Sequence, residues 1–357
     1  MTNAAHSLLS VFKEEKTNPS KVKNFFNVDI LNPDIFTGRI GEFVQNRKDA
    51  TCLNLFDGLF SSPDPETALS KLVDLSKSTD IERLLSDPKN ARGMLRLLGS
   101  SNFLANFIIN NAEIMDQFFT VNFLKQQVDK EEHLEEIRNL LSSSQTAEDF
   151  KAAIRHYKYR QLLRITYLSL DESLDVPQTV RELSSLADSI INACLNRAMD
   201  ILEAKEGLSK PQSLDFAIIA LGKLGARELN YSSDVDLIYI YDEPKSAEGA
   251  DGTASFKTYY VKLSETLTNI LSQRTPDGFL YRVDLRLRPD GDRGAICQSL
   301  NGVIRYYEYA GRTWERSIFL RKRFVAGNKA LYERFEKSIE PFVFKRYLDY
   351  EIGRAHV

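Results

Sequence analysis

Residues 214–241 contain two short apolar runs, Leu214-Asp-Phe-Ala-Ile-Ile-Ala-Leu221 and Asp234-Val-Asp-Leu-Ile-Tyr-Ile-Tyr241. Runs of this length, rich in β-branched and aromatic residues, predict strands in the core of a sheet. Gly222 ends the first run, and residues 223–229 predict one or two helical turns. The centre of the expected fold is therefore a pair of strands joined through a short helical segment.

Two acids, Asp234 and Asp236, open the second run. Side chains alternate across a strand, so both carboxylates project from one face, about 7 Å apart at the backbone. Carboxylate oxygens bind hard divalent cations such as Mg²⁺. Such a pair can also be merely solvated, but Gly222 at the preceding strand end allows a phosphate to approach the backbone closely. Together these features favour a site for a metal ion and a phosphate.

A third acid, Asp284, lies in Tyr281-Arg-Val-Asp-Leu-Arg-Leu-Arg-Pro289. The alternation predicts a strand over residues 279–287 that places Asp284 on one face with Arg282, Arg286 and Arg288. One interpretation is an edge strand with solvated arginines. The favoured one is a polyphosphate site, in which Asp284 joins the acid pair while Arg286 and Arg288 bind phosphate oxygens. Three carboxylates around two magnesium ions suit in-line displacement at phosphorus, which needs no catalytic Cys, Ser or His.

The remainder of the chain is predominantly helical, so the predicted fold class is α+β. Helices are predicted over residues 91–119 (with a break at Ser100 and Ser101), 147–170, 177–206, 256–273, 299–310 and 313–323. A polar segment at residues 208–213 marks the predicted domain boundary, and residues 275–278 predict a turn. The basic face of the 147–170 helix is predicted to be solvated; it carries Arg155, Lys158, Arg160 and Arg164.

Composition excludes several classes of protein. The net charge of −3, from 47 basic and 50 acidic residues, gives no reason to expect nucleic-acid or membrane binding. No apolar stretch approaches the roughly 18 residues of a membrane helix. Three cysteines and four histidines are scattered, which argues against disulfides and a zinc site. We expect a soluble, cytoplasmic protein.

Several motifs together resemble those of one enzyme family. They are the segments 221–237 and 281–289 with Gly291-Asp292 following, Gly311-Arg-Thr-Trp-Glu-Arg316 with Val325-Ala-Gly327, and, upstream, the helical segments 95–104 and 160–165. Over roughly residues 90–350 this order is similar to that of the glutamine synthetase adenylyltransferase/adenylyl-removing enzymes, which are polymerase-β-type nucleotidyltransferases. The resemblance implies a mostly α-helical N-terminal region over residues 1–90, a helical region over 91–207 packed on the catalytic domain, the nucleotidyltransferase domain over 208–330, and the start of a C-terminal helical segment over 331–357.

The resemblance is strongest to the N-terminal half of the family, which removes AMP. The grounds are Asn230-Tyr-Ser-Ser-Asp234, Arg288-Pro-Asp-Gly-Asp292 and the long helical region before them. That half implies Mg²⁺-dependent phosphorolysis of adenylylated glutamine synthetase, which yields ADP. It implies glutamine synthetase as the protein substrate, ADP or ATP and inorganic phosphate as ligands, and the PII signal protein as a possible regulator.

The family's motifs carry site roles to matching positions. Asp234, Asp236 and Asp284 would be catalytic and would hold the metals. Gly222 and Ser233 would shape the phosphate site, and Arg286 and Arg288 would bind phosphate. Lys223 is a further candidate for phosphate or nucleotide binding, although an exposed lysine at a helix start is the simpler alternative. The basic run at residues 316–323 would line the same cleft or dock an acidic partner surface.

Some residues depart from the family pattern. Asp290 and Arg293 replace an expected aromatic and a small residue, and residues 351–357 do not continue the family's helical segment. An incomplete chain or a single excised half is therefore expected. The alternatives are ATP-dependent adenylylation by the same fold and a non-catalytic nucleotide-binding or docking module. An RNA nucleotidyltransferase is disfavoured by the charge balance and the absence of an RNA-binding motif.

Overall fold

The computed structural model describes residues 3–13, 18–26, 28–45, 47–118, 124, 128–142, 146–206, 214–242, 250–275 and 278–344. The chain divides into two compact units. The first unit contains residues 1–127 and 159–176, and the second contains residues 128–158 and 177–357. The structure is α+β, as predicted, because helices make up the described part of the first unit while the second carries a five-stranded sheet.

Short helices build the first unit. They are α1 (Asn3–Lys13), α2 (Pro19–Lys23), α3 (Pro33–Val44), α4 (Asp49–Ser61), α5 (Pro65–Leu75), α6 (Ile81–Leu85), α7 (Pro88–Ser100), α8 (Asn102–Asn110) and α9 (Met115–Phe118). Helix α4 is buried over most of its length and packs on α7, where Gly58 leaves room for Leu95. The predicted break is confirmed: the Ser101 hydroxyl accepts a hydrogen bond from the Leu104 amide and caps α8.

Three further helices follow: α10 (Lys130–Ser142), α11 (Ala147–Leu170) and α12 (Val176–Glu206). The prediction of a solvated basic face on α11 is wrong, because Arg155, Lys158 and Arg164 are all buried. Polar groups receive two of these cations. The Lys158 ammonium donates to the Leu280 carbonyl oxygen, and Arg164 Nε donates to Gln161 Oε1 at 2.8 Å. These charged residues of α11 therefore lie on a buried face of the helix and not on a solvated one.

The sheet of the second unit consists of β1 (Phe216–Ala220), β2 (Val235–Tyr241), β3 (Val283–Asp284), β4 (Cys297–Ser299) and β5 (Arg323–Gly327). The order is β3-β2-β1-β5, and β4 also pairs with β2. Strand β1 runs antiparallel to both β2 and β5, whereas β3 and β4 run parallel to β2. The two strands predicted from residues 214–241 are thus confirmed as the centre of the sheet.

Both faces of the central strands are covered by helices. These are α14 (Ala250–Ser272) on one side and α15 (Leu300–Tyr309) with α17 (Lys329–Val343) on the other; α13 (Gly222–Gly225) and α16 (Thr313–Ile318) are short connections. Tyr260 of α14 stacks on Phe216 and Tyr241, while Ile219 and Ile240 face the core formed with α15 and α17. Continuous burial on two faces explains why these strands read as unbroken apolar runs.

Two predicted elements near the site are corrected. The strand predicted over residues 279–287 is reduced to Val283–Asp284, because the Asp284 carboxylate accepts a hydrogen bond from the Arg286 amide at 2.8 Å and turns the chain. The helix predicted over residues 313–323 ends at Ile318. A 3₁₀ turn, Phe319–Arg321, then leads into the edge strand β5, which the periodicity did not indicate.

Some predictions fall outside the described residues. They are the boundary at residues 208–213, the end of the 91–119 helix, the centre of the 275–278 turn and the C-terminal segment beyond residue 344. The predicted division at residues 90, 207 and 330 stays a prediction. Among the described helices none is long and apolar enough to cross a membrane.

Candidate active site

An open cavity of about 420 Å³ lies in the second unit at the end of the central strands. It is lined by Gly222, Lys223, Ser232, Ser233, Asp234, Asp236, Arg282 and Arg321. The sequence analysis had selected five of these eight residues as site candidates. The cavity therefore brings together both acids of the pair and the glycine segment, whereas Asp284, Arg286 and Arg288 are not among its lining residues.

Asp236 is the centre of the acid group. It lies in β2, directly opposite Asp284 of β3 in the parallel register. Paired residues on adjacent strands project from the same side of a sheet, with backbones about 4.8 Å apart. The sequence predicted that Asp284 would join the acid pair, and the sheet register supplies the contact between strands that this requires.

Gly222 shapes the wall beside Asp236. Its φ angle is +53°, a left-handed conformation that side chains rarely adopt, and a Cβ built on it would overlap Asp236 Oδ2. The Leu221 amide donates to the Asp236 carbonyl oxygen at 2.9 Å, which fixes the turn against β2. A glycine is therefore needed here both for backbone conformation and for the space taken by the carboxylate.

Asp234 lies just before β2 and is exposed. Arg282, in the segment before β3, donates to the Asp234 carboxylate through Nε and to the Ser232 carbonyl oxygen through Nη2. A backbone hydrogen bond joins the same two segments, since the Val235 amide donates to the Arg282 carbonyl oxygen at 2.9 Å. Arg282 thus ties the loop that carries Asp234 to the strand that carries Asp284.

Asp284 is paired with Arg286, two residues later. Arg286 donates from Nη2 to Asp284 Oδ2 at 2.5 Å and from Nε to both carboxylate oxygens at 3.0 and 3.1 Å. This hydrogen bonding lowers the pKa of Asp284 below its usual value. The arginine reaches Asp284 through the turn that ends β3, and not through the strand alternation from which their proximity was predicted.

Asp236 has the opposite electrostatics. Burial raises its pKa, and the neighbouring charges of Asp284 and Asp234 raise it further, while Arg286 and Lys223 partly compensate. No hydrogen bond or salt bridge joins its carboxylate to any other residue in the described part of the chain. An anionic group held among like charges, without its own cationic partner, is a site that a metal cation would stabilise.

The donor chemistry of the three acids suits a hard divalent ion such as Mg²⁺. Their arrangement in this structure is not yet that of a closed metal site: among the described residues no three Asp, Glu, His or Cys side chains converge as metal ligands do. Arginines hold Asp234 and Asp284, and these ion pairs are exposed on the arginine side. Among the described residues Asp236 is the one acid of the three without such a partner, so a divalent cation would bind next to it.

The predicted phosphate-binding residues occupy different surroundings. Lys223 is exposed at the cavity, and Ser233 lines it, with its hydroxyl bonded to the Asn230 side chain. Arg288 instead braces the loop after β3, because its guanidinium donates to the carbonyl oxygens of Gly294 (3.0 and 3.1 Å) and Leu285 (2.9 Å). The role of Arg288 as a phosphate ligand stays a prediction.

Three cavity residues were not selected from the sequence: Ser232, Arg282 and Arg321. Arg282 was noted only as a member of an alternating strand. Arg321 was part of a basic run whose two interpretations, lining the cleft or docking a partner, were left open. The available signal was the charge of these arginines. The contact of Arg321 with Glu228 and its place at the cavity depend on the path of the chain after α16.

Comparisons with known proteins agree with one family. A protein-family model described as glutamate-ammonia ligase adenylyltransferase matches residues 91–338. A protein of Nitrosococcus oceani named bifunctional glutamine synthetase adenylyltransferase/adenylyl-removing enzyme is 33% identical over 272 residues, 73% of this chain and 28% of that protein. A protein of the same name from Pseudomonas syringae pv. tomato is 32% identical over 264 residues, 73% of this chain and 27% of that protein. The chain thus spans little more than a quarter of the length of these relatives.

Proposed function

Because the chain belongs to the glutamate-ammonia ligase adenylyltransferase family, we propose that its second unit is a magnesium-dependent nucleotidyltransferase of the polymerase-β type. The observation that carries this proposal is the pairing of Asp236 with Asp284 across β2 and β3, beside the left-handed Gly222. A carboxylate pair next to a glycine that admits a phosphate suits the transfer of an adenylyl group.

The proposed reaction is the removal of AMP from adenylylated glutamine synthetase. An oxygen of inorganic phosphate attacks the adenylyl phosphorus, the bond from phosphorus to the tyrosine oxygen breaks, and the tyrosine leaves as ADP forms. The proposed substrates and ligands are therefore adenylylated glutamine synthetase, inorganic phosphate and ADP. Regulation by the PII signal protein and a cytoplasmic location remain predictions from the resemblance and the composition.

The acids have a defined role in this proposal. Asp234, Asp236 and Asp284 would hold Mg²⁺, which when bound neutralises phosphate charge and stabilises the leaving oxygen. Arg282 would continue to position Asp234, and Arg286, which is paired with Asp284, would bind a phosphate oxygen. Gly222, Ser233 and Lys223 would contact phosphate oxygens, through backbone amide, hydroxyl and ammonium groups respectively.

ATP-dependent adenylylation of glutamine synthetase is the second candidate, since the relatives' names include both activities. In that reaction the tyrosine oxygen attacks the α-phosphorus of ATP, the bond from this phosphorus to the bridging oxygen breaks, and pyrophosphate leaves. The same carboxylates would serve, because both directions transfer an adenylyl group between oxygens. Catalysis depends mainly on positioning and charge, so geometry alone favours neither direction.

One assay tests the proposal and separates the directions. Adenylylated glutamine synthetase is incubated with the chain and phosphate, with and without magnesium, and ADP is measured. In parallel, unmodified glutamine synthetase is incubated with labelled ATP, and incorporation of AMP is measured. Magnesium-dependent ADP production supports removal, and incorporation of AMP from ATP supports adenylylation.

Two variants provide the controls. Asp236→Ala is expected to abolish either activity while the chain stays folded. Arg334→Ala, which removes an exposed ion pair with Asp242 away from the cavity, is expected to keep it. Turnover by Asp236→Ala at the wild-type rate would reject the metal-site assignment. Magnesium-dependent nucleotide binding with no turnover in either assay would instead support a binding module.

A further inference from the structure

Arg321 enters the cavity from a part of the chain remote from the acid motif. It ends the 3₁₀ turn Phe319–Arg321 and lines the cavity together with Lys223 and the acid pair. Its position does not follow from the strand that carries Asp284, because about 35 residues and two helices separate them. The role of this arginine therefore has to be argued from its own contacts.

The backbone of Arg321 is fixed against α13. A Cβ on Gly225 would overlap the Arg321 carbonyl oxygen, so the two backbones are in direct contact. Two residues later, Arg323 donates to the carbonyl oxygens of Leu224 (2.8 Å) and Gly225 (3.3 Å) and to the carboxylate of Asp188. Arg321 is thus held beside the same short helix that presents Gly222 and Lys223 to the cavity.

The side chain of Arg321, by contrast, is readily available. Its guanidinium makes a salt bridge of 3.2 Å to Glu228, and both side chains are more than half exposed, at 57% and 56%. An exposed pair of this kind is weak, and a phosphate with two acceptor oxygens is a stronger partner. Arg323 differs because its pair with Asp188 is buried, which suits it to a structural role.

The charges in the cavity restrict where a phosphate dianion can bind. Asp234 and Asp236 repel it, and of the three lining cations Arg282 is bound to Asp234 and the Ser232 carbonyl oxygen. Lys223 makes no salt bridge to a described residue, and Arg321 has only its exposed pair. Lys223 lies in α13 and the Arg321 backbone packs against it, so these two cations of the cavity lie on or beside the same short helix.

We propose that Arg321, with Lys223, binds the phosphate group that lies beyond the adenylyl phosphorus. This group is inorganic phosphate before the attack and the β-phosphate of ADP after it. Arg321 would therefore determine specificity for the phosphate co-substrate and would contribute little to recognition of the adenylyl group. The inference rests on the proposed function, since it assigns a role within the same cavity.

Comparing the affinities for AMP and ADP shows whether Arg321 binds this phosphate or contributes to nucleotide binding in general, because the two nucleotides differ only by that phosphate. Affinities for AMP, ADP and inorganic phosphate are measured by calorimetry in magnesium, on the intact chain. For Arg321→Ala we expect ADP and phosphate to bind on the order of ten- to a hundredfold more weakly, the effect of losing a charged hydrogen bond. Affinity for AMP is expected to stay within about twofold.

Two further variants make the test specific. Glu228→Gln removes the competing carboxylate and is expected to tighten ADP binding by about two- to fivefold, the worth of an exposed ion pair. Arg334→Ala is the matched control, since Arg334 is also 57% exposed and paired with one acid, and it should leave all three affinities unchanged. Opposite effects of the Arg321 and Glu228 variants would not arise from a loss of folding.

The inference is overturned if Arg321→Ala leaves ADP binding unchanged, or if it weakens AMP and ADP equally. In either case the proposed function stands, because the wild-type chain still binds nucleotide. If the wild-type chain binds neither AMP nor ADP in magnesium, the proposed function itself is rejected and the role of Arg321 is rejected with it.

Discussion

Neutralising Asp236 should stabilise the chain in the absence of magnesium. Its carboxylate lies opposite Asp284 in the parallel register, and both Asp284 and Asp234 raise its pKa. Asp236→Asn keeps the shape of the side chain and removes the charge. The relief of repulsion, rather than any new contact, is the expected source of the gain.

The magnitude follows from the strand spacing. Two unit charges about 4.8 Å apart repel by roughly 1 kcal/mol in water-like surroundings. Asp236 is half-buried, but solvent and Arg286 screen part of the interaction. We therefore expect Asp236→Asn to raise the free energy of unfolding by about 0.5–1 kcal/mol near neutral pH.

With magnesium present, the wild-type chain should become more stable than Asp236→Asn. A ligand that binds only the folded chain at ten times its dissociation constant adds about 1.4 kcal/mol to the free energy of unfolding. The wild-type chain should gain this increment, and Asp236→Asn should gain little of it because a ligand charge is missing. The measurement is urea unfolding followed by circular dichroism, with EDTA and then with increasing magnesium.

Asp242→Asn provides the control. Asp242 follows β2 directly and is paired with Arg334 at 2.6 Å, so its neutralisation removes an attraction and should give no gain in stability. Its response to magnesium should equal that of the wild-type chain. If Asp236→Asn is less stable than wild type in EDTA, or gains the full magnesium increment, the assignment of Asp236 as an uncompensated metal ligand is refuted.

Three further perturbations test other features. Gly222→Ala should lower the free energy of unfolding by about 1–2 kcal/mol, because its backbone is left-handed, and should also abolish nucleotide binding. Gly291→Ala is the control: its φ angle is +57° but a Cβ there meets no close contact, so it should cost similar stability and keep nucleotide binding. Asp188→Ala should lower the urea-unfolding free energy by about 3–5 kcal/mol because it leaves Arg323 in a mostly buried site without its carboxylate, and a loss below about 1 kcal/mol would contradict this. Burial lowers the pKa of Lys158 to about 7, so the folded chain binds fewer protons than the unfolded chain between about pH 7 and 10. The free energy of unfolding should therefore rise with pH in this range by up to about 1.4 kcal/mol per pH unit. Lys158→Met should lack this slope, and equal slopes for the two chains in urea unfolding would disprove the prediction.

Family membership, predicted from motifs in the right order, is confirmed by the family model and the relatives. The relatives' names contain both activities, so they do not show which of the two belongs to the part of the protein that this chain covers. The α+β class and the two central strands are also confirmed. The strands were predicted from local periodicity, whereas the family was predicted from the order of several motifs along the chain.

The errors lie where local pattern and chain path disagree. Residues 281–288 alternate as a strand does, yet the Asp284 carboxylate captures the Arg286 amide and turns the chain after two strand residues. The α11 cations looked solvated, but the Leu280 carbonyl oxygen and the rings of Phe279 and Tyr281 receive Lys158 inside the second unit. In both cases a side chain competed with the regular pattern for a backbone group.

The sequence by itself determined the two buried strands, the helix break at Ser101 and the acid pair on one face, because side-chain periodicity and capping act over a few neighbouring residues. Only the tertiary structure decided that Asp236 faces Asp284, that Arg282 holds Asp234, and that Arg321 reaches Glu228 and the cavity. Those contacts join residues 48 to about 90 positions apart, and they depend on sheet register and on the path of the intervening chain, neither of which local spacing encodes.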